Sequence, residues 1–517
     1  MQPVYHPRSI AAVTPEKSAL IMVDQGESIT YGELVRRSDQ AGHLFAALGV
    51  KQGDTIAILI ENHVRYPELI WGAKNSGIRY VAVSTHLNGA DAAYVIGDCG
   101  ATLLVTSKAC ASLAAEAIYG LSRVPKLLMI DGTVEPFMPY ESILEQQPDT
   151  PIEGGRRGPS MLYSSGTTGR PKGVRTEFPE APPETPPQRL AMLIEQYGFD
   201  ADTVFINPGP YYHAAPGRMM VSIHRTGGTV IGFRSFAPET ALEAITRYGG
   251  THGFFVPTMF GRMLALPDDV RAAAQVGTML HAIHGAAPCP VHVKRAMIDW
   301  WGPVISELYG GTEAFGHSFI TSKEWLAHPG SVGKAAKGCT LRITGADGNE
   351  LPVGVQGRIM MKNGMNVAYH GDAAKTAELY DDTGFASLGD IGYVDTEGYL
   401  YLTDRESHMI IVGGVNVYPQ EAENILLEHP AISDVAVIGV PDADMGESIR
   451  GVVQLKAGYA ATEALTVEIV AFCRARLSLH KCPRSIDFVS ELPRNDAGKL
   501  VKRILREQYW KDEERLI

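Results

Sequence analysis

The sequence predicts an α/β protein with a large N-terminal domain and a small α+β C-terminal domain. Strand-like apolar runs alternate with helical ones along residues 18–110, as in Thr55–Ile60 followed by Tyr66–Gly77. Strands separated by helices of this length indicate parallel sheets. From about residue 320 the pattern changes to short strands with glycine turns, which indicates a β-rich subdomain. A chain of 517 residues is also too long for one core.

The N-terminal elements follow from apolar runs and their lengths. Ile78–Val83 and Thr102–Thr106 are predicted strands, and Ala92–Cys99 is a predicted helix between them. Similar alternation from residue 203 to about 308 completes a second α/β subdomain. The segment Pro179–Gln188 is rich in proline and glutamate, and we expect it to form an exposed, extended loop.

The C-terminal part has a mixed pattern of its own. Pro419–Glu428 and Thr466–Leu477 are predicted helices, and Val435–Val440 is a predicted strand. We therefore divide the chain into a domain of residues 1–404, which holds two α/β subdomains and the β-rich subdomain, and a domain of residues 405–517.

Composition excludes several classes of protein. The net charge is −12 without any block of lysines or arginines, which disfavours nucleic acid and anionic membranes as partners. The sequence contains no run of about 18 apolar residues that could form an integral membrane segment. The six cysteines are scattered without CxxC pairs, and the N-terminus lacks a secretory signal. We expect reduced thiols and a cytoplasmic location.

A loop rich in glycine and hydroxyl groups, Ser164–Gly173, has the composition of a phosphate site. Successive backbone N–H groups in a glycine-rich turn form an anion-binding concavity, while hydroxyls and a lysine add donors and charge. The candidate phosphate-binding residues are Ser164, Ser165, Gly166, Thr167, Thr168 and Lys172.

This loop is not a Walker A motif, which requires GxxxxGK followed by Ser or Thr. Lys172 follows Pro171 and precedes Gly173, so no hydroxyl side chain stands after it to hold magnesium.

A second candidate segment is Tyr309–Glu313, which follows the apolar run VISEL. Its two glycines allow a ligand to approach the backbone closely. A carboxylate beside a phosphate site is a natural magnesium ligand, so Glu313 is the candidate metal-binding residue.

The segment Tyr163–Val174 (YSSGTTGRPKGV) resembles the phosphate loop of the acyl-adenylate-forming superfamily, which includes acyl-CoA synthetases, luciferases and peptide-synthetase adenylation domains. Further matching motifs follow in order over nearly the whole chain. The resemblance implies an enzyme that activates a carboxylic acid with ATP and Mg²⁺ and then forms a thioester with coenzyme A. It also implies that residues 405–517 form a mobile lid domain.

The resemblance assigns the nucleotide contacts. Thr312 would bind the phosphates and Glu313 would bind Mg²⁺. Asp390, in SLGD, would bind the ribose hydroxyls together with Arg405, although Leu388 stands where the family has threonine. The other residues given to the nucleotide are Tyr309, Gly310 and the adenine shelf of Gly285, Ala286 and Ala287.

Two C-terminal motifs complete the resemblance. Lys499, in PRNDAGK, matches the catalytic lysine, whose ammonium stabilises the charge that develops as a carboxylate attacks phosphorus. Gly413 and Gly414 match the hairpin that enters for thioester formation. The family places Asp or Lys at the pivot, where this chain has Ser407.

The acyl pocket is expected to begin at Tyr211-Tyr212-His213, and the resemblance places His213 between the acyl pocket and the pantetheine tunnel. The segment YYHAAPG offers no carboxylate to pair with an ammonium group, which disfavours amino acids. Predicted lining segments are Arg218–Val221, Phe254–Pro257 and Gly310–Gly316. They are mostly apolar, so an apolar fatty, aryl or polycyclic acid fits best; Arg218 could meet a second polar group.

Two other functions stay open at this point. The acyl adenylate could be transferred to a separate carrier protein instead of coenzyme A. A catalytically silent nucleotide-binding scaffold is supported only by the departures at Leu388 and Ser407. The predicted partners are small molecules, and a homodimer is an open alternative.

Overall fold

The structure is a computed structural model that describes residues 5–164, 171–442, 444–494 and 499–510, apart from the side chains of Ser164 and Asn416. The described strands form sheets of thirteen, eight and five strands. The two larger sheets belong to the N-terminal part of the chain, and the five-stranded sheet belongs to the C-terminal part.

The first part of the chain builds most of the eight-stranded sheet. Strands β4, β3, β5 and β6 run parallel in that order, and every residue of β3 is buried, as expected for a parallel strand covered on both faces. The elements are α1 Pro7–Ala11, β1 Ser18–Met22, β2 Glu27–Thr30, α2 Tyr31–Ala47, β3 Thr55–Leu59, α3 Tyr66–Asn75, β4 Arg79–Ala82, α4 Gly89–Asp98, β5 Leu103–Ser107, α5 Ala111–Tyr119, β6 Lys126–Ile130, β7 Met138–Pro139, α6 Tyr140–Leu144 and β8 Ser160–Ser164.

The next part supplies the parallel strands of the thirteen-stranded sheet. Strands β11, β10, β12, β13 and β14 are parallel neighbours, so their carboxyl ends meet at one edge. The elements are β9 Lys172–Arg175, α7 Gln188–Tyr197, β10 Val204–Asn207, α8 Ala214–Thr226, β11 Thr229–Gly232, α9 Pro238–Tyr248, β12 His252–Phe255, α10 Pro257–Leu264, α11 Asp268–Ala273, β13 His281–Gly285, α12 Val291–Trp301, β14 Ile305–Gly310 and β15 His317–Ile320.

The predicted β-rich subdomain extends the same sheet with antiparallel strands in the order β17, β18, β20, β21, β16. Strand β19 instead joins the eight-stranded sheet beside β9. The elements are α13 Ser322–Ala327, β16 Ser331–Ala335, β17 Thr340–Thr344, β18 Gly357–Lys362, β19 Ala368–Tyr369, α14 Ala373–Leu379, β20 Asp390–Val394 and β21 Leu400–Arg405.

The C-terminal part has its own sheet, in the order β23, β22, β25, β24, with β26 parallel to β25. The elements are β22 Ile410–Val412, β23 Val415–Val417, α15 Pro419–Leu426, β24 Ile432–Asp442, β25 Gly446–Leu455, α16 Glu463–Arg474, β26 Ser485–Val489 and α17 Lys502–Tyr509. The predicted fold class is confirmed. The boundary predicted at residues 404/405 lies in the last two residues of β21 and stays a prediction.

One local expectation is partly wrong. Pro179–Gln188 is not exposed throughout, because Pro183 is buried and its carbonyl accepts a hydrogen bond from Arg225 Nη2 at 3.0 Å. Helix α7 also begins inside the segment, at Gln188. An interior guanidinium needs acceptors, and here the loop supplies one. Along the described residues, no helix is long and apolar enough to cross a membrane.

Candidate active site

The loops after β13 and β14 lie side by side. Gly285 pairs with Leu308 in the parallel register, so the predicted adenine shelf lies next to the start of the Tyr309–Glu313 loop. Ala286 and Ala314 have φ of +69° and +56°, a conformation that is uncommon for residues other than glycine. Such strained residues often occur at ligand sites, where the surrounding structure holds them in place.

The predicted phosphate loop connects β8 to β9, which pair as an antiparallel hairpin with Ser164 opposite Lys172. Ser165, Gly166, Thr167 and Thr168 lie outside the described residues, as does the side chain of Ser164. The described anchor is therefore Lys172, whose Nζ lies 5.1 Å from the centre of a tyrosine ring.

That ring belongs to Tyr369, a residue that the sequence analysis missed. Its hydroxyl donates a hydrogen bond to Glu313 Oε1 at 3.0 Å, and Tyr369 pairs with Val174 across β9 and β19. Burial and the Glu313 carboxylate raise the pKa of Tyr369, so the hydroxyl stays protonated and can donate. Tyr369 thus links the strand after the phosphate loop to the candidate magnesium ligand.

Asp390 forms the centre of a second polar group. Its Oδ1 lies 2.9 Å from Arg405 Nε, and its Oδ2 accepts a hydrogen bond from the Tyr309 hydroxyl at 2.7 Å. Asp390 and Arg405 are directly opposite in the β20–β21 register, which explains their proximity. Burial, followed by the Asp390 carboxylate, raises the pKa of Tyr309. The structure brings these three predicted nucleotide residues together.

Leu388 lies against the Tyr309–Glu313 loop. A Cβ on Gly311 would lie 2.7 Å from Leu388 Cδ2 and equally close to Glu313 Oε2. A side chain at residue 311 would therefore displace the ends of the Leu388 and Glu313 side chains. The departure from the family threonine fills this space with an apolar side chain.

Lys499 reaches the same place from the C-terminal domain. Burial and then Arg405 lower the pKa of Lys499, Asp390 and Glu313 raise it, and the resulting pKa is about 8. A lysine that responds to both carboxylates lies within the nucleotide site. The structure thus brings the predicted catalytic lysine to the predicted ribose and magnesium residues.

The contacts described for the two remaining groups of predicted residues are local. His213 directly precedes α8, with its ring centre 4.7 Å from that of Tyr212. Gly413 and Gly414 form the turn between β22 and β23, where the Gly413 amide donates a hydrogen bond to Met445 O at 2.9 Å. These contacts lie within each residue's own domain.

The predicted acyl-pocket segments need a correction. Phe255 lies in a core cluster, with its ring centre 5.5 Å from Phe260 and 5.7 Å from Trp301. Phe254 packs in a different cluster, because neighbouring residues of a strand face opposite sides of the sheet. Arg218, in contrast, donates from Nη2 to Thr312 O at 2.9 Å, beside the candidate phosphate ligands.

The residues present suit a nucleotide with magnesium. Mg²⁺ is usually held by one or two carboxylates together with substrate phosphates and water. Glu313 is a carboxylate of that kind, 7% exposed, and it is hydrogen-bonded to Tyr369 and raises the pKa of Lys499. Lys172 and the backbone of the Tyr309–Glu313 loop stay the predicted phosphate contacts.

Comparison with known proteins agrees with this geometry. Residues 8–368 match the family model "AMP-binding enzyme", and residues 421–499 match "AMP-binding enzyme C-terminal domain". The chain therefore belongs to the AMP-binding enzyme family. This confirms the predicted class, an AMP-forming acid–thiol ligase of the acyl-CoA synthetase type that uses ATP, Mg²⁺ and coenzyme A.

Individual relatives cover almost the whole chain. A feruloyl-CoA synthase of Amycolatopsis sp is 31% identical, over 94% of each chain. The long-chain-fatty-acid–CoA ligase FadD13 of Mycobacterium tuberculosis is 29% identical, over 97% of each. The crystal structure of ATP-bound MatB from Rhodopseudomonas palustris superposes with a TM-score of 0.84 at 28% identity, covering 98% of this chain and 99% of that one.

Proposed function

We propose that this chain activates a carboxylic acid with an apolar fatty, aryl or polycyclic body and transfers the acyl group to coenzyme A. The observation that carries the proposal is the polar group in which Asp390 lies 2.9 Å from Arg405 and accepts a hydrogen bond from Tyr309 at 2.7 Å. Asp390 and Glu313 both act electrostatically on Lys499, which supports a role for this lysine in the first half-reaction.

In that half-reaction a carboxylate oxygen of the acid attacks the α-phosphorus of ATP and pyrophosphate leaves. Asp390 and Arg405 hold the ribose, and the Lys499 ammonium stabilises the charge on the attacking and phosphate oxygens. Mg²⁺, when bound by Glu313 and the phosphates, neutralises charge on the leaving group. Positioning and charge stabilisation supply most of the rate enhancement in such a step.

The second half-reaction needs a different arrangement of the domains. We propose that the C-terminal domain rotates about Ser407, which withdraws Lys499 and brings Gly414 to the pantetheine tunnel near His213. The thiol of coenzyme A then attacks the acyl carbon and AMP leaves. A domain movement of this kind gates the reaction without changing its chemistry.

The class of acid is inferred from what the entrance to the acyl pocket contains. Tyr211 and Tyr212 precede His213 and are both buried, and Met219 and Met220 follow on α8. These side chains favour a substrate with apolar groups near its reacting carboxylate. An α-amino acid would bring an ammonium group to a segment without a carboxylate, at a large desolvation cost.

Acid-dependent ATP–pyrophosphate exchange tests the first half-reaction with a panel of fatty, aryl and polycyclic acids. Exchange with at least one acid is expected, and its absence with all of them contradicts the proposal. Lys499→Ala should abolish exchange but leave thioester formation from supplied acyl adenylate largely intact. Equal loss of both half-reactions in this variant would refute the role given to Lys499.

Consumption of the acyl adenylate identifies the acceptor. Coenzyme A should release AMP at least tenfold faster than a phosphopantetheinyl carrier protein, and the reverse order indicates a carrier ligase. A cytoplasmic location stays a proposal, supported by six cysteines that are all free thiols. The homodimer stays a prediction, which light scattering of the purified chain tests directly.

A further inference from the structure

A buried ion pair joins helix α12 to strand β14. Lys294 Nζ lies 2.6 Å from Glu307 Oε2, and the two side chains are 0% and 8% exposed. Lys294 stands near the start of α12, and Glu307 stands in the middle of β14. A buried ion pair is often no more stable than apolar side chains of similar volume, so stability alone does not explain this one.

The pair lies in an otherwise apolar core. The buried face of α12 consists of residues at i, i+3, i+4 and i+7, namely Lys294, Met297, Ile298 and Trp301. The three apolar members pack with Ile305, whose side chain faces the same side of β14 as that of Glu307. The Lys294 ammonium also lies 5.0 Å from the centre of the Trp325 ring. The two charged groups are therefore held against each other by the packing around them.

His284 is the third polar residue of this group. It lies directly opposite Glu307 in the register of β13 and β14, with its Nε2 3.5 Å from Glu307 Oε2. Burial, followed by Lys294, lowers the pKa of His284 well below its usual range, so the ring is neutral. Its ring nitrogens have no hydrogen-bond partner among the described residues. The strong contact of Glu307 is therefore the one with Lys294.

The ion pair closes a loop of chain that contains the predicted adenine shelf. The chain runs from β13 through the shelf to α12. At the start of the shelf, Gly285 pairs with Leu308 of β14. Beyond its end, Lys294 returns to Glu307 of the same strand. Both ends of the shelf are therefore attached to β14, the strand that leads into the candidate magnesium site.

The shelf needs such support because its backbone is strained and closely packed. Ala286 has a φ of +69°, in the left-handed region that is unfavourable for a residue with a Cβ. A Cβ on Gly285 would lie 2.5 Å from Leu308 O, so the two strands approach each other closely here. Backbone in a conformation of this kind persists only where the surrounding structure fixes it.

We propose that Lys294 and Glu307 are positioning residues for the nucleotide, because their contact between α12 and β14 fixes the shelf that receives adenine. The inference rests on the proposed function, in which the shelf supports adenine, and deepens it. Both side chains lie in the core, so they act through the backbone of the shelf. Their loss should therefore affect the base of the nucleotide and not its phosphates.

Binding of AMP and of inorganic tripolyphosphate to the full chain tests this distinction. Lys294→Met/Glu307→Leu removes both charges together, so that neither is left buried without a partner. In titration calorimetry this variant should bind AMP at least tenfold more weakly, because a small displacement of a binding surface is costly. Its affinity for tripolyphosphate should stay within twofold of the wild type. Unchanged AMP binding, or an equal loss for both ligands, overturns the inference.

The ion pair between Arg37 and Glu68 provides a matched control. Arg37 Nε lies 2.6 Å from Glu68 Oε2, the side chains are 9% and 0% exposed, and the pair joins α2 to α3. Arg37→Met/Glu68→Leu removes a comparable buried pair and should lower the melting temperature, but AMP affinity should stay within twofold of the wild type. A loss of AMP affinity as large as that of Lys294→Met/Glu307→Leu would report reduced stability and contradict the positioning role.

Glu307→Asp keeps the test decisive if the double variant does not fold. It retains both charges but shortens the side chain by one methylene, so Lys294 keeps its contact only if α12 moves relative to β14. AMP affinity should fall at least threefold, with tripolyphosphate affinity unchanged. An AMP affinity equal to that of the wild type contradicts the positioning role.

These measurements separate failure of this inference from failure of the proposed function. AMP binding needs neither an acid nor coenzyme A, so its selective loss in the variants supports the positioning role even if no acid supports exchange. Exchange with an acid, combined with unchanged AMP affinity in the variants, contradicts the positioning role and leaves the proposed function intact.

Discussion

Lys499 shows how the charge of one residue depends on two domains. Burial and Arg405 lower its pKa, Asp390 and Glu313 oppose them, and the resulting pKa is about 8. The ammonium form is therefore complete only well below pH 8. Because the proposed chemistry uses that form, the first half-reaction should depend on pH in a range where most lysines do not titrate.

We predict that kcat/KM for ATP in pyrophosphate exchange is level below a pH of about 7 and falls above a pH of about 8. The fall should approach tenfold for each further pH unit, since each unit removes about nine-tenths of the remaining ammonium. A rate profile from pH 6.5 to 10 measures it. Lys499→Arg, which keeps its charge throughout, should lose the inflection near pH 8 at any residual rate. An unchanged inflection in that variant assigns it to another group.

Tyr369 is a second residue whose contribution can be isolated. Tyr369→Phe removes the hydrogen bond to Glu313 but keeps the ring that faces Lys172. A loss of about 1.5 kcal/mol or more is expected for a hydrogen bond to a carboxylate, which raises the Mg²⁺ concentration for half-maximal exchange about tenfold or more. Tyr401→Phe is the control, because its hydroxyl donates a hydrogen bond to Asp395, in the turn between β20 and β21, and makes no described contact with Glu313. Equal Mg²⁺ requirements in both variants would contradict the prediction.

The residues that the sequence identified and those that it missed differ in physical kind. Asp390 and Lys499 stand in short strings whose chemistry is local, so they could be predicted before the structure. Tyr369 acts through the pairing of β19 with β9, a contact between distant segments that no local pattern encodes. Phe255 was wrongly placed in the pocket because a four-residue segment was treated as having one face, although strand residues alternate.

At the scale of elements, the β22–β23 hairpin has a turn with two unusual residues. Gly413 and Gly414 have φ of +57° and +80°, as a two-residue type I′ turn requires. The neighbourhoods differ, since a Cβ on Gly413 would lie 2.4 Å from Met445 Cε, whereas one on Gly414 would meet nothing within 4 Å. Residue 413 is therefore restricted by packing as well as by φ.

Gly413→Ala should disturb the hairpin and slow thioester formation from supplied acyl adenylate, with pyrophosphate exchange reduced much less. The left-handed conformation alone costs alanine about 1 kcal/mol, and the contact with Met445 adds to it. Met445→Ala in the same chain should restore part of the thioester rate. A double variant as slow as the single one would show that the contact with Met445 does not limit this position.

The elements themselves were largely predictable from the sequence. Thr55–Ile60 and Tyr66–Gly77 match β3 and α3 within two residues, because their apolar periodicity agrees with their tertiary packing. The conformation of the loop Pro179–Gln188 was predicted less well. Its composition predicts exposure, but the need of Arg225 for an acceptor draws Pro183 into the interior.

At the scale of the whole molecule, Asp404 links strand β21 to helix α15, which the predicted boundary at residues 404/405 assigns to different domains. This residue lies in β21 of the large domain, and its Oδ2 accepts a hydrogen bond from the Gln420 amide at 2.8 Å, in the first turn of α15. Oδ1 lies 3.0 Å from His408 Nδ1. Burial alone would raise the pKa of Asp404, but Lys502 and His408 lower it, so the side chain is a carboxylate. A charged residue of one domain thus caps a helix of the other, across the predicted pivot Ser407.

Replacing Asp404 should make it easier for the C-terminal domain to rotate out of the described arrangement. A hydrogen bond to a charged group contributes about 1.5–3 kcal/mol, so Asp404→Ala should slow pyrophosphate exchange about tenfold or more. Thioester formation from supplied acyl adenylate should be unchanged or faster, because the proposed rotation must break the same contact.

Glu406→Gln is the control, since its ion pair with Arg358 is half exposed at 2.8 Å and contributes at most about 1 kcal/mol. The ratio of the two half-reaction rates, measured separately, decides the question. A parallel fall in both rates for Asp404→Ala would mean that this contact supports the fold and does not bias the rotation.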